Sequence, residues 1–250
     1  NLLENLDGKM ITGCDLNTTE KDMHKLFKLT PHVLAAVNSE VDASTATAKG
    51  VVGAFESFYK CFPSDLSNGV LVHGCGAVGK IVASELVRKG FKTYVVDKDV
   101  SKTNIEGTIS LGDDANWYKN KFDVLFPCSI SGLINTYNAS FLLDKKAIIP
   151  AANAPFINEI IPKKLKEANL TIIPDPLVNA GAVIGDSIER YAPHEWSKAT
   201  SEKVYEFVKD SVRNKCFAFL SLIQSGLTTE ETLELIQNEQ DTIIGKTFLA

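Results

Sequence analysis

The stretch that decides the fold is Gly69-Val-Leu-Val-His-Gly-Cys-Gly-Ala-Val-Gly79. It begins with apolar, β-branched residues that are typical of a buried strand, and it continues into the pattern G-x-G-x-x-G. A segment with helical spacing of its apolar residues follows and ends at Gly90. Strand, glycine-rich loop and helix therefore occur in the order that a dinucleotide-binding βα unit requires.

Each glycine of the loop has a separate physical task. Gly74 would allow the tight turn, Gly76 would let the backbone approach a pyrophosphate, and Gly79 would let the helix pack close to the strand. The amides at the start of the helix would then hold the anion at the positive end of the helix dipole. The pattern alone could also be a glycine-rich turn in some other α/β protein. The residues predicted to bind the cofactor here are Gly74, Cys75, Gly76, Ala77, Val78 and Gly79.

Asp97 ends the next apolar run, 21 residues after Gly76. A carboxylate at this position accepts hydrogen bonds from the adenosine ribose hydroxyls and repels a 2′-phosphate, so it favours NAD over NADP. Lys98, beside it, could also contact the cofactor, so the sequence does not exclude the binding of NADP. The alternative is that Asp97 is an ordinary turn residue at the end of a strand.

The rest of the chain alternates short β-rich runs with longer helical stretches. This alternation predicts an α/β fold, a Rossmann-type doubly wound parallel sheet with helices on both faces. The predicted strands cover residues 69–73, 92–97, 123–126, 146–150 and 171–174.

The two ends of the chain differ from this pattern. Residues 9–12 could form a strand, and Thr18 or Thr19 could cap a helix through Met23. The apolar residues here are too few to close a core, so we interpret residues 1–43 as the end of a substrate domain. We assign residues 44–195 to the dinucleotide domain and 196–250 to helices that bridge the two.

The C-terminal tail carries clear helix signals. Gly226 lies where a residue after a helix end must take positive φ, and Thr228 with Glu231 forms a capping box for a second helix. The apolar stripe of the first helix recurs at three- and four-residue spacing, at Val204, Phe207, Val208, Val212, Cys216, Phe219, Leu220 and Ile223.

Composition excludes several classes of protein. The 250 residues are 44% hydrophobic and carry a net charge of −5, with no basic block, so neither disorder nor a nucleic-acid partner is expected. No apolar run approaches the length of a membrane span. The four histidines share no ligand spacing, and neither G-x-S-x-G nor a P-loop occurs, so we predict no metal site, hydrolase or kinase. The cysteines are odd in number and spread along the chain, which is typical of reduced thiols. They are Cys14, Cys61, Cys75, Cys128 and Cys216.

Five further motifs surround the glycine-rich loop in a fixed order. They are Met10-Ile-Thr-Gly-Cys-Asp-Leu-Asn-Thr-Thr19 with Asp22-Met23, Ser44-Thr-Ala-Thr-Ala-Lys-Gly-Val51, Phe126-Pro-Cys-Ser129 with Gly132-Leu-Ile-Asn135, Ala151-Ala-Asn-Ala-Pro155, and Pro174-Asp175 with Asn179-Ala-Gly-Ala-Val-Ile184. With these motifs the chain resembles the glutamate, leucine, phenylalanine and valine dehydrogenases. The T-G-C-D pattern is most similar to the leucine/phenylalanine branch.

The resemblance implies NAD-dependent oxidative deamination of an L-amino acid to a 2-oxo acid and ammonia, in a cytoplasmic homo-oligomer. Asp15 matches the catalytic aspartate, which exchanges protons with the reacting nitrogen or oxygen. The other matched positions are Thr47, Asn153 and Asn179 on the nicotinamide side, Cys128 and Ser129 at the nicotinamide ribose, and Val183 and Asp186 at the substrate side chain.

Several of these residues have structural alternatives. Asp15 could be a turn residue before a helix cap, and Cys128 could be a small buried hydrophobe. Asp186 could face solvent or pair with Arg190 one turn later. If instead it faces the substrate, a carboxylate there would disfavour an aliphatic side chain and favour one that carries a hydrogen-bond donor.

One family element does not occur in this sequence. The glycine-rich loop that supplies the catalytic lysine in the family comes before the segment that carries Asp15. Either the sequence is a fragment, or the natural protein lacks this lysine. Because loss of a general acid–base group lowers rates by roughly 10² to 10⁴, we expect this chain alone to bind NAD and turn over little. The rival hypothesis is a catalytically silent NAD-binding or regulatory protein of the same family.

Overall fold

A six-stranded parallel sheet forms the centre of the molecule. The computed structural model describes residues 2–13, 18–34, 40–63, 65–238 and 243–249. The strands are β1 (Val70–His73), β2 (Thr93–Val96), β3 (Ile109–Ser110), β4 (Val124–Pro127), β5 (Ala147–Ile148) and β6 (Thr171–Ile172). Their order is β3-β2-β1-β4-β5-β6, and every pair is parallel. This is the order of a doubly wound dinucleotide-binding sheet, so the predicted fold class is confirmed.

Ten α-helices lie in the described part of the chain. They are α1 (Leu2–Asn5), α2 (Glu20–Phe27), α3 (Ala43–Cys61), α4 (Ala77–Arg88), α5 (Ile160–Glu167), α6 (Asp175–Val178), α7 (Gly181–Tyr191), α8 (Pro193–Trp196), α9 (Ser201–Gln224) and α10 (Thr229–Asn238). Short 3₁₀ turns lie at Val100–Thr103, Trp117–Lys119, Ala139–Leu142 and Ile244–Thr247. None of the helices within the described ranges is long and apolar enough to cross a membrane.

Alternate residues of the strands build two separate cores. Val70 and Val72 face a core formed with α3, α4 and α9, whereas Leu71 between them faces a core formed with α5 and the 3₁₀ turns. In the first core Phe55 of α3 meets Phe126 of β4 edge to face, with ring centroids 5.5 Å apart. Both faces of the sheet are thereby covered, as a parallel sheet requires.

All five predicted strands are present, but β3 is missing from the prediction. Its two residues, Ile109 and Ser110, are both exposed and form no apolar run. The strand suggested at residues 9–12 is wrong, because only Thr12 pairs there, in an isolated parallel bridge with Val33. Thr19 is confirmed as the cap of α2, and Met23 and Val33 form a small separate cluster.

The C-terminal helices have the predicted caps. Gly226 follows α9 with φ +99°, and the Thr228 amide donates to the Glu231 carboxylate at 2.8 Å. The apolar stripe of α9 packs along α3 so closely that a Cβ on Gly53 would lie 2.4 Å from the Lys209 carbonyl oxygen. The tail therefore covers one face of the sheet. A bridging role between domains, and the domain boundaries themselves, stay predictions.

Candidate dinucleotide site

The candidate site lies where the strand order reverses, at the carboxyl ends of β1 and β4. In open α/β sheets ligands bind in the crevice at this point. The loops that follow the two strands touch, since a Cβ on Gly74 would lie 2.6 Å from the Ser129 Cβ. Gly74 also has φ +96°, which a residue with a side chain adopts only with strain. The tight turn therefore requires glycine.

The other two glycines of the loop close one gap and keep another open. A Cβ on Gly79 would lie 1.8 Å from the Gly74 carbonyl oxygen, so the first turn of α4 rests directly on the loop. Gly76, the N-cap of α4, is exposed, and a Cβ there would have no heavy atom within 4 Å. The space beside Gly76, at the start of α4, is therefore free of protein atoms, and the start of a helix is where phosphate groups commonly bind.

Asp97 is fixed beside this loop by two backbone hydrogen bonds. Its Oδ2 accepts from the Cys75 amide at 2.6 Å, and its Oδ1 accepts from the Asp99 amide at 2.8 Å. Each carboxylate oxygen has a second lone pair, so both can still accept from ribose hydroxyls. The sequence predicted the ribose contact but not these backbone bonds. Lys98 is exposed next to it.

His73, the last residue of β1, supports the loop after β4. Its Nδ1 lies 2.8 Å from Ser129 Oγ, and its ring packs edge-on against Trp117 at 5.0 Å. Burial lowers the pKa of His73 to about 4, so the ring is neutral at physiological pH. Sequence reasoning gave His73 no role in the site. Its place directly before the glycine-rich loop was the one signal available.

The loops after β5 and β6 continue the same crevice. Asn179 Nδ2 donates to Asn153 Oδ1 at 2.7 Å and to the Ala151 carbonyl oxygen at 3.2 Å. Ser131, from the loop after β4, donates to the Asn153 carbonyl oxygen at 2.9 Å. These bonds bring together side chains that the sequence analysis assigned to the nicotinamide side.

Two close contacts complete this side of the crevice. Asp175 Oδ2 accepts from the Ala154 amide at 2.9 Å and so stabilises a turn in which Ala154 has φ +45°. A Cβ on Gly181 would lie 2.7 Å from the Thr47 Cα, so the starts of α3 and α7 touch. Thr47 Oγ1 donates to the Ala43 carbonyl oxygen within α3. Asp175 is a residue whose role the sequence analysis missed.

The two thiols of the site lie in surroundings that disfavour the thiolate form. Burial, together with the charge of Asp97, raises the pKa of Cys75 to about 11. Burial also raises the pKa of Cys128, strongly. Both thiols are therefore protonated at neutral pH, which fits the interpretation of Cys128 as a small buried group.

Both predicted substrate residues, Val183 and Asp186, lie on α7. Val183 is 68% exposed, whereas Asp186 is partly buried, and a Cβ on Gly13 would lie 3.8 Å from its Oδ2. Burial, with a smaller contribution from Glu189, raises the pKa of Asp186 to about 6. The Arg190 guanidinium lies over the Tyr191 ring and does not pair with Asp186. Asp15, the predicted catalytic residue, lies outside the described residues.

The sequence matches known dehydrogenases along most of its length. Residues 89–239 match the model of the glutamate/leucine/phenylalanine/valine dehydrogenase family. The chain is 27% identical over 259 residues to a phenylalanine dehydrogenase of Bacillus thermotolerans, covering 98% of this chain and 66% of that protein. It is 30% identical over 228 residues to a leucine dehydrogenase of Geobacillus stearothermophilus, covering 86% and 60% respectively. The chain belongs to this family.

The fold agrees as well. The crystal structure of an L-tryptophan dehydrogenase from Nostoc punctiforme matches 95% of this chain and 68% of that one, with a TM-score of 0.74 at 22% identity. The chain spans about two thirds of the length of the dehydrogenases it matches. Among the described residues we find no cluster that could hold a metal ion, and the four cysteines described are free thiols.

If Asp97 selects the cofactor in this family member, Asp97→Ala will weaken NAD binding and reduce the preference for NAD over NADP by about tenfold or more, because the charge that repels a 2′-phosphate is lost. The melting temperature will also fall, since the Cys75 and Asp99 amides lose their acceptor. Titration of both cofactors measures the ratio. Asp99→Ala, an equal charge change two residues away, is the control and should leave the ratio unaltered. A ratio unaltered in Asp97→Ala would place the carboxylate away from the ribose.

The raised pKa of Asp186 predicts a pH-dependent stability change. A folded pKa of about 6, above the usual 3.8, means that the charged form destabilises the folded state as pH rises above about 4. Asp186→Asn removes that penalty and, after allowance for solvent screening, should stabilise by about 1 kcal/mol at about pH 8. Thermal melts should show a gain of about 2–4 °C there, fading towards about pH 4. A loss of stability at about pH 8 would contradict the burial of an unpaired carboxylate.

Proposed function

We propose that the protein carrying this chain catalyses the NAD-dependent oxidative deamination of an L-amino acid to a 2-oxo acid and ammonia. The observation that supports this most strongly is the open space at Gly76, in front of α4, with a fixed carboxylate beside it at Asp97. Membership of the dehydrogenase family supports a dinucleotide as the occupant of that space. When bound, the nicotinamide supplies the acceptor for a hydride from the substrate α-carbon.

The chain's own residues would position and orient the cofactor. The amides from Gly74 to Gly79 would hold the diphosphate, and Asp97 would hold the adenosine ribose, with Lys98 at its edge. Ser129, oriented by His73, would support the nicotinamide ribose. The bonded pair Asn153 and Asn179, with Thr47 where α3 meets the start of α7, would border the nicotinamide and keep one ring face towards the substrate.

Asp15 would exchange the proton of the reacting nitrogen or oxygen. A carboxylate does this efficiently when it is held in a cleft that excludes water, because its pKa then approaches the operating pH. Gly13, two residues before it, lies beside Asp186 of α7, so the described part of this segment approaches the substrate side of the crevice.

Val183 and Asp186 would contact the substrate side chain. An uncompensated carboxylate next to an aliphatic chain is unfavourable, whereas a side chain with an N–H donor would pair with it. We therefore propose an L-amino acid with a donor group in its side chain as a better substrate than leucine or valine. Cytoplasmic location and homo-oligomeric assembly stay predictions from the resemblance.

The direct test is formation of NADH by the protein carrying this chain, with a panel of L-amino acids. Turnover with at least one of them, and less with NADP than with NAD, is the expected result. The matched comparison is between aliphatic substrates and those with a side-chain donor. Tight NAD binding without turnover of any amino acid would overturn the proposal and favour the silent NAD-binding protein.

A further inference from the structure

A cavity of about 960 Å³ lies at the opposite ends of the strands from the dinucleotide crevice. Lys146 and Leu170, which border it, come directly before β5 and β6, so the cavity opens at the amino ends of the outer strands. The dinucleotide loops follow the carboxyl ends. Its volume lies within the range of small-molecule sites, and none of the residues assigned to the cofactor borders it.

The inner wall of this cavity is apolar. Phe62 follows the end of α3, Ile223 lies near the end of α9, and Leu227 comes in the turn after it. All three are partly buried, so each keeps some surface towards the cavity. Ile172 of the edge strand β6 completes the wall. A fully polar ligand forms no favourable contacts with such a surface. An apolar chain is favoured instead, because it removes the apolar surface from water.

The rest of the border is charged and carries more lysines than carboxylates. Four lysines border the cavity, and two of them are neutralised, Lys145 by Asp144 at 3.0 Å and Lys146 by Asp123 at 3.6 Å. Lys163 and Lys166, one turn apart on α5, differ from these. Within the described ranges no carboxylate lies at ion-pair distance from either ammonium group.

Lys166 is the more confined of the two. It is half-buried, and its Nζ donates to Thr229 Oγ1 across the cavity mouth at 2.6 Å. Burial lowers its pKa, and the nearby Glu230 offsets this only in part. A partly desolvated cation whose hydrogen-bond partner is a neutral hydroxyl has unused affinity for an anion.

The start of α10 borders the same mouth. Thr228 caps the helix together with Glu231, whose carboxylate already offsets the positive end of the helix dipole, and Thr229 in the first turn accepts the bond from Lys166. Glu230 and Glu167 also border the cavity. Like Lys163 they are exposed, so solvent screens the charges of these three residues more than it screens that of Lys166.

We propose that this cavity binds an amphiphile with a carboxylate headgroup and an apolar chain. The headgroup pairs with Lys166 and Lys163, and the chain covers the wall formed by Phe62, Ile223 and Leu227. A neutral apolar ligand leaves both ammonium groups unpaired, and a cationic one opposes them. The site is independent of the proposed dehydrogenase chemistry.

Calorimetric titration of the full protein with dodecanoate, below its micellar concentration, tests the proposal. Saturable binding at one site per chain is expected. Lys166→Met, which keeps the apolar stem and removes the charge, should weaken it about tenfold or more. Lys164→Met, the same change on an exposed residue of α5 that does not border the cavity, should leave affinity unaltered.

Two further arms keep the result decisive. Dodecyltrimethylammonium and dodecanol, with the same chain, should bind about tenfold more weakly or not at all. Ile223→Asn should weaken the binding of dodecanoate. Dinucleotide titration and thermal melts of the same variant should show that the protein is intact. Absence of saturable binding, equal affinity of Lys166→Met, or equal affinity for the alcohol overturns the proposal. Because the readout is direct binding, its failure leaves the proposed dehydrogenase function untouched, and the reverse also holds.

Discussion

Gly76→Val is expected to weaken dinucleotide binding at least about 100-fold while the protein stays folded. The backbone at this position, φ −69° and ψ −164°, is open to residues with a side chain, and a Cβ there meets no heavy atom within 4 Å. The branched side chain therefore fits the protein but fills the space that a diphosphate needs. Fluorescence titration with the reduced cofactor measures the loss, and a thermal melt checks the fold.

Two variants separate binding from folding in this experiment. Ser84→Val places the same side chain on an exposed position of α4 and should leave cofactor affinity unaltered. Gly79→Val should unfold or strongly destabilise the protein, since its Cβ would lie 1.8 Å from the Gly74 carbonyl oxygen. If Gly76→Val binds the cofactor as tightly as the unchanged protein, the assignment of the loop is wrong.

What the sequence could predict is what depends on neighbours along the chain. The turn at Gly74, the end of α9 at Gly226 and the caps at Thr19 and Thr228 each arise from residues within one helical turn of one another. The alternation of short β-rich runs with helical stretches predicted a doubly wound parallel sheet with helices on both faces. In the structure β1 and its loop lie at the centre of that sheet.

What it could not predict depends on pairs of residues far apart in the chain. The bond between His73 and Ser129 joins positions 56 residues apart, and no local pattern marks either residue as its partner. The hydrogen bond from the Ala154 amide to the Asp175 carboxylate joins residues 21 positions apart. The cavity bordered by Lys166 arises only where α5, α9 and α10 meet. β3 was missed for a local reason: it has only two residues, and both are exposed, so no alternation of apolar and polar residues marks it as a strand.

The proposed catalytic carboxylate is the part of the site supported by resemblance alone, so it is tested by kinetics. In the protein carrying this chain, Asp15→Asn is expected to lower kcat by roughly 10² to 10⁴, because the amide cannot exchange the proton of the reacting nitrogen or oxygen. The dissociation constant of NAD should change by about threefold or less, since the loop that would hold the diphosphate lies on another element.

The control for this variant is Asp7→Asn, an identical charge change in the same N-terminal segment. Asp7 is exposed at φ +46°, a conformation that asparagine tolerates, so neither stability nor kcat should respond. Stopped-flow measurement of NADH formation, run beside NAD titration, separates the chemical step from binding. If Asp15→Asn retains its kcat, the proton is exchanged by another group. If kcat and NAD affinity fall together, Asp15 supports the fold of the crevice and is not the acid–base group.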